Sequence, residues 1–507
     1  MSPVLHGRAG SRFAGRRLSL GRLTVSVTAT AAVLAAAAAS ALLPFLPAAP
    51  QGAAADDRWF GGYYDVTLEE DEALARSPLG RTPGGAVLAF VVAADDDRCE
   101  PTWGKAYTFD DAGTRFELDR RVARLQREGR PVAISFGGAI NTELALACRT
   151  VGALTRAYAK TINRYGVGVI DLDIEGDALR DAAATQRRAE AVARLQRERS
   201  APLEVWLTLP VAPDGLTADG LDLVTGMLDA GVELAGVNAM TMNYGIETPG
   251  SLADVSAAAL TATAAQLAEV WAAAQVPLPE GGIWALLGAT PMIGRNDVPT
   301  EVFTLDDARA LQAFAAERGI RRVSMWSINR DQTCGSNYPY PEVVSTGCSG
   351  IEQAGERFAD VLAEGFGGGG SSPQSPEPVA DDPDTSPYPV WRSTTYYSAG
   401  VKVVWRGAVY ISKWWNEDGP MPDDPSLDAA ASPWTYLGPV LPGDQPFALP
   451  QLPPGTYPDW EADTLYDQGA RVLWQGSGYE ARWWSRGQRP DRSVLDRDYS
   501  PWKLLED

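Results

Sequence analysis

The chain has 507 residues, 44 Lys and Arg against 65 Asp and Glu, a formal net charge of −21 and one histidine. That length calls for more than one domain, and so acidic a surface repels nucleic-acid phosphates and anionic membranes while leaving a neutral polysaccharide unaffected. The one histidine is His6, which excludes Ser-His-Asp, Cys-His and histidine-zinc chemistry from the rest of the chain; acid-base work falls to carboxylates and tyrosines, and no cofactor or metal is expected.

Residues 1–55 read as an export signal. Arg8, Arg12, Arg16, Arg17 and Arg22 give a basic start, an Ala-rich apolar run follows from Leu23 to Leu46, and Ala53-Ala54-Ala55 offers a cleavage site before Asp56. Arg16-Arg17-Leu18-Ser19-Leu20 resembles a twin-arginine signal. The competing reading is an uncleaved membrane anchor, since the apolar run exceeds the usual signal core. Cleavage gives a secreted, extracellular chain, expected as a monomer.

From residue 56 to 366, short Val/Ile/Leu-rich runs alternate with stretches of helical period, the pattern of a parallel sheet covered by helices. Strands are predicted at Trp59–Tyr64, Ala86–Val92, Val132–Phe136, Val167–Glu175, Leu203–Leu209, Leu234–Met242, Gly282–Leu287 and Arg322–Ile328. Helices are predicted at Leu118–Glu128, Val151–Tyr165, Ala182–Arg197, Ala253–Ala274 and Leu305–Arg318. Eight such units make an α/β TIM barrel with its site at the C-terminal strand ends; the alternative, a doubly wound sheet, lacks a GxGxxG after its first strand. Cys99, Cys148, Cys334 and Cys348 have no CxxC spacing and are read as the disulfides Cys99–Cys148 and Cys334–Cys348, each joining neighbouring barrel loops.

The fourth strand carries Asp171, Asp173 and Glu175 on one face and Ile170, Leu172 and Ile174 on the other. Parallel strands are normally apolar on both faces. Like charges crowded at a poorly hydrated barrel mouth must share protons, and one raised carboxyl is what a glycosidase needs to protonate a leaving oxygen. The plainer readings are a solvated edge strand or a metal-binding acidic loop.

These residues resemble the signature of glycoside hydrolase family 18, a fourth strand ending in DxxDxDxE after an SxGG third strand. Asp171-Leu172-Asp173-Ile174-Glu175 and Ser135-Phe136-Gly137-Gly138 supply those parts, with Gly168 where the long form has its first Asp. Gly62-Tyr63-Tyr64-Asp65, Met240-Thr241-Met242-Asn243-Tyr244-Gly245, Thr290-Pro291-Met292-Ile293-Gly294 and Ser324-Met325-Trp326-Ser327 extend the likeness, which is nearest to bacterial chitinases. The resemblance implies Glu175 as acid and base, Asp173 as holder of the substrate acetamido group, whose oxygen attacks the anomeric carbon with retention, and Asp171 as the partner sharing a proton with Asp173. It further implies Trp326 as the floor of the reacting sugar and substrate contacts from Ser135, Gly137 and Gly138. On the sixth strand, Met242 falls at the family's Tyr place and Asn243 at its Asp place; either Met242 or Tyr244, which follows, lies beside the acetamido oxygen, with Tyr244 preferred.

The rest divides into linkers at 367–387 and 439–456, the first read as flexible, and two small all-β modules at 388–438 and 457–507. The modules repeat: Trp391, Tyr397, Gly400, Trp405, Gly407, Tyr410, Trp414, Trp415 and Trp434 align with Trp460, Tyr466, Gly469, Trp474, Gly476, Tyr479, Trp483, Trp484 and Trp502. They resemble carbohydrate-binding module families 5 and 12, which implies chitin binding; Ala481-Arg482-Trp483-Trp484 keeps the family's AxWW and Ile411-Ser412-Lys413-Trp414-Trp415 departs at the Ala. Adjacent tryptophans on one strand cannot both face inward, so one of each pair is expected to be exposed as a sugar platform, with Trp415 and Trp484 preferred. The expected partners are chitin and chitooligosaccharides; the alternatives are a non-hydrolytic chitin lectin and an endo-β-N-acetylglucosaminidase acting on glycoprotein glycans.

Overall fold

The structure, a computed structural model, describes residues 58–69, 71–245, 250–338, 340, 343–367, 380–417 and 419–505, with the backbone alone at 71–73. The expected export signal lies outside the described residues, as do positions 368–379 of the first linker. No described helix is long and apolar enough to cross a membrane.

Eight parallel strands close on themselves: β1 (Trp59–Asp65), β2 (Gly85–Asp95), β3 (Val132–Gly137), β4 (Val169–Asp173), β5 (Glu204–Ala212), β6 (Leu234–Met240), β7 (Leu287–Thr290) and β8 (Arg322–Val323). Closure comes from β1, which pairs with β2 through Gly61↔Gly85 and with β8 through Trp59↔Arg322. Helices α1 (Phe109–Phe116), α2 (Leu118–Arg127), α3 (Val151–Tyr165), α4 (Ala182–Glu198), α5 (Ala218–Asp229), α6 (Leu252–Ala274) and α7 (Leu305–Arg318) cover the outside. Their starts are marked in the sequence: Thr108 and Thr304 each form a capping box, with Asp111 and Asp307. Gly166 and Gly319 end α3 and α7 in the left-handed region that glycine enters without cost.

Three expectations need correction. The run 282–286 forms a 3-10 turn and the seventh strand begins only at Leu287; so short an apolar run does not distinguish strand from helical turn, and Trp284 packs on Phe314 of α7. The regular pairing of β8 stops at Val323, with a 3-10 turn at Ile328–Arg330. Helices α1 and α5 and a strand at Arg98–Trp103, antiparallel to β2, were not foreseen. The disulfides join Cys99 to Cys148 and Cys334 to Cys348, as expected.

Between β1 and β2 the described residues form only 3-10 turns, at 66–68, 71–76 and 78–80. The first tail module packs there. Leu74 is buried against Val404, Val409, Ile411 and Leu437, and Thr435 Oγ1 donates to the Ala75 carbonyl at 2.8 Å. Arg120 on α2 makes a two-pronged ion pair with Asp444, both bonds 2.9 Å, and Lys402 reaches Glu117 at 2.7 Å. Segment 439–456 is tied throughout: besides Asp444, Phe447 N–H donates to Ser386 and Leu452 N–H to Gly476.

Each module is a three-stranded antiparallel sheet, β9 (Lys402–Trp405), β10 (Ala408–Ser412) and β11 (Trp434–Pro439) in the first, β12 (Arg471–Trp474), β13 (Ser477–Ala481) and β14 (Trp502–Leu504) in the second. Their cores rest on the repeated aromatics, Tyr397 edge-on to Trp434 and Tyr466 edge-on to Trp502.

Candidate active site

Strand β4 places Asp171 and Asp173 inward and Glu175 just beyond its end, while Ile170, Leu172 and Ile174 are fully buried under the helices. Neighbouring strands decide what each carboxylate meets. Ser135 of β3 lies in register with Asp171, and Gly137 and Thr208 flank Asp173.

Asp171 is completely buried and accepts four hydrogen bonds: from Tyr63 at 2.8 Å, Ser135 at 2.7 Å, Thr208 at 2.6 Å and Arg322 Nη1 at 2.6 Å. Arg322, equally buried on β8, has its guanidinium 5.2 Å, 5.5 Å and 5.7 Å from the ring centroids of Trp59, Trp206 and Tyr63. Every acceptor direction of Asp171 is thus met by a donor, with a counter-charge in contact. Beside the Asp171–Asp173 pairing implied by the resemblance stands a second contact, the hydrogen bond between Asp173 and Glu175.

Asp173 is buried, with its Oδ1 lacking a partner among the described residues. Burial, then the charges of Glu175 and Asp171, push its carboxyl well above the usual range, and Arg322 opposes them. Glu175 is half-buried; burial raises its carboxyl, the hydrogen bond from Asp173 lowers it, and the charge of Asp297 raises it. Burial thus raises both carboxyls, which interact directly with one another.

Ser135, Gly137 and Gly138, expected as substrate contacts, lie against these acids. The Ser135 hydroxyl is spent on Asp171. A Cβ on Gly137 would lie 2.1 Å from the Asp173 carbonyl, and one on Gly138 2.9 Å from the Phe90 ring, so only glycine permits the approach. The Gly138 N–H donates to the same carbonyl at 2.9 Å.

Tyr244, the preferred catalytic candidate, turns its hydroxyl to Ser256 of α6 at 3.3 Å and packs its ring against the main core. Met242 is buried. Asn243, in the left-handed region at φ 54°, donates to Asp297 Oδ2 at 3.0 Å and accepts from the Asp297 N–H at 2.9 Å. The charge absent from position 243 is supplied by Asp297, from the loop after β7. Trp326 is half-buried at the end of the last strand, stacked on Phe90 with centroids 5.4 Å apart. Phe90, Asp297, Arg322 and Thr208 were not singled out from sequence; a charged Arg322 at the start of an apolar strand was the one available signal.

In the tail, both members of each tryptophan pair are exposed: Trp414 43 %, Trp415 37 %, Trp483 39 % and Trp484 68 %. One-in, one-out alternation does not apply because the strands end at Ser412 and Ala481, before the tryptophans.

This arrangement, a closed parallel barrel with an acidic stack at the ends of its strands, belongs to a chain that is similar to chitinases. The chain is 35 % identical over 287 residues to a probable bifunctional chitinase/lysozyme of Escherichia coli K12, covering 55 % of this chain and 31 % of that protein. It is 33 % identical over 281 residues to endochitinase 11 of Metarhizium anisopliae, covering 54 % and 52 %. The chain thus spans about a third of one relative and about half of the other. Among solved structures, active domain 2 of the Pyrococcus furiosus chitinase superposes with a TM-score of 0.51 at 26 % identity, covering 64 % of this chain and 99 % of that one. No protein-family model matches the chain.

Proposed function

We propose that the protein is a secreted chitinase of glycoside hydrolase family 18 that hydrolyses β-1,4-linked N-acetylglucosamine polymers with retention of configuration. The observation that carries this reading is the acidic stack at the barrel mouth, where Asp173, buried with an oxygen that lacks a partner among the described residues, stands beside Glu175. In the free enzyme a proton rests on Asp173. An acetamido N–H arriving at Asp173 needs an ionised acceptor, so substrate drives the proton onto Glu175, which passes it to the scissile oxygen as that bond breaks. The acetamido oxygen attacks the anomeric carbon, its N–H held by Asp173; Glu175, now ionised, takes a proton from water, which opens the cyclic intermediate. Trp326, stacked on Phe90, offers an indole face to the sugar's C–H surface. The tail modules hold insoluble chitin through Trp414, Trp415, Trp483 and Trp484, and the chain acts as a monomer.

The resemblance of the sequence, the chitinases it is similar to and the unpartnered oxygen of Asp173 support this reading. A lectin gains nothing from a carboxyl pair sharing one proton. The test is Glu175→Gln, which keeps shape and removes the acid: turnover of chitin oligomers should fall by roughly 10²- to 10⁴-fold with oligomer binding retained. Residual activity within a few-fold of the parent eliminates the assignment. Product analysis on colloidal chitin and on a high-mannose glycopeptide separates this activity from cleavage of glycoprotein glycans.

A further inference from the structure

The repeat that builds the two modules does not extend to their surfaces. Tyr396 and Trp415 of the first module align with Leu465 and Trp484 of the second, so an aromatic pair in one is an aliphatic-aromatic pair in the other. The next ring beside Trp415 comes from the other module: Tyr499 lies with its centroid 5.3 Å away at 67°. Tyr396 also neighbours Trp415, at 5.9 Å and 31°. Tyr499 has no aromatic counterpart in the first module, where its aligned position is Ala431.

The apposition is built, not incidental. Ser398 N–H donates to the Leu495 carbonyl at 2.9 Å, Asp498 N–H donates to Ser398 Oγ at 3.1 Å, and the Leu495 side chain packs on the first module's aromatic core. Arg492 of the second module lies over the Tyr396 ring at 4.6 Å. Between the modules is a cleft of about 420 Å³ lined by these three rings with Gln488, Arg492 and Asp496 on its polar side. Trp415 remains 37 % and Tyr499 66 % exposed, so apolar area is held open to water that a matching ligand face would cover.

We propose that Tyr396, Trp415 and Tyr499 form one binding site, shared by both modules, for a β-1,4-linked N-acetylglucosamine oligomer. This rests on the chitin-binding reading of the tail and departs from it by replacing two independent platforms with one composite site and the separate ring of Trp484. A pyranose offers a C–H face to the rings while its hydroxyls and acetamido group find donors and acceptors at the polar side. Three neighbouring rings present more apolar surface than one sugar covers, which selects an oligomer over a monosaccharide.

The test uses the full-length chain carrying Glu175→Gln, with retention on chitin beads compared among Trp415→Ala, Tyr499→Ala, Trp484→Ala and the pairs. Trp415→Ala and Tyr499→Ala should each weaken retention roughly three- to tenfold, with the double variant little weaker than the worse single, whereas Trp415→Ala and Trp484→Ala should compound. Retention unchanged by Tyr499→Ala, or full compounding with Trp415→Ala, overturns the shared site. If Trp415→Ala and Trp484→Ala both weaken retention and Tyr499→Ala does not, the composite site alone fails; if no ring matters, the chitin-binding reading of the tail fails with it. The substituted rings of Trp415, Trp484 and Tyr499 are exposed, and unchanged thermal unfolding of the variants shows that binding, not folding, was altered.

Discussion

The barrel mouth and the tail obtain binding groups by opposite means. At the mouth, Asp171 is saturated with donors while Asp173, two residues on, keeps one buried oxygen without a partner among the described residues; the candidate reactive group is set by what its neighbours withhold. In the tail the cores are closed by Tyr397, Trp434, Tyr466 and Trp502, and the candidate contacts are rings left outside. A buried polar site depends on every strand that surrounds it, whereas an exposed ring depends only on where its own backbone ends. Damage should therefore spread at the mouth and stay local in the tail.

The largest expected effect breaks the saturated partner. Arg322→Met leaves the Asp171 carboxylate buried without its counter-charge and should cost about 3–5 kcal/mol of stability, read from denaturant unfolding of the full chain. A loss no greater than that of a surface substitution contradicts the view that the mouth is assembled around this ion pair. Arg120→Ala, at the seam between barrel and tail, removes the paired bonds to Asp444. A local loss of about 1.5–3 kcal/mol is expected, seen as faster amide exchange in 402–412 with soluble-oligomer turnover unchanged. Exchange that stays slow would mean that Leu74 and its apolar partners hold the module alone.

The smallest effect is electrostatic. Glu175 donates only while protonated, so the alkaline limb of the activity profile follows its pKa, and the charge of Asp297 raises that value. Asp297→Asn keeps the hydrogen bond with Asn243 and removes the charge, so the limb should move to lower pH, and the difference should shrink in high salt because Asp297 is exposed. A limb that does not move removes Asp297 from the site.

Much of the barrel was legible because alternation and helical period are local properties. Val151–Tyr165 and Leu305–Arg318 have the bounds read from sequence, since their caps and apolar stripes lie within the segments themselves. The seventh strand was displaced because Ile283, Trp284, Ala285 and Leu286 suit either backbone, and packing against α7 selected the turn. The orientation of Tyr244 was hidden for a related reason: adjacency in sequence to the expected position does not say which way a ring turns, and Ser256 on α6 meets its hydroxyl.

By itself the sequence determined the order of strands, the shared face of Asp171, Asp173 and Glu175 and the twofold repeat of the tail, because each follows from spacing along one strand or from self-similarity along the chain. Only the tertiary structure decided that Arg322 would saturate Asp171, that Asp297 would pair with Asn243, that the first module would cover the barrel where the described residues after β1 form only 3-10 turns, and that Tyr499 would approach Trp415. Those partners lie far apart in the chain, and closure of the barrel and docking of the modules, not local pattern, bring them within reach.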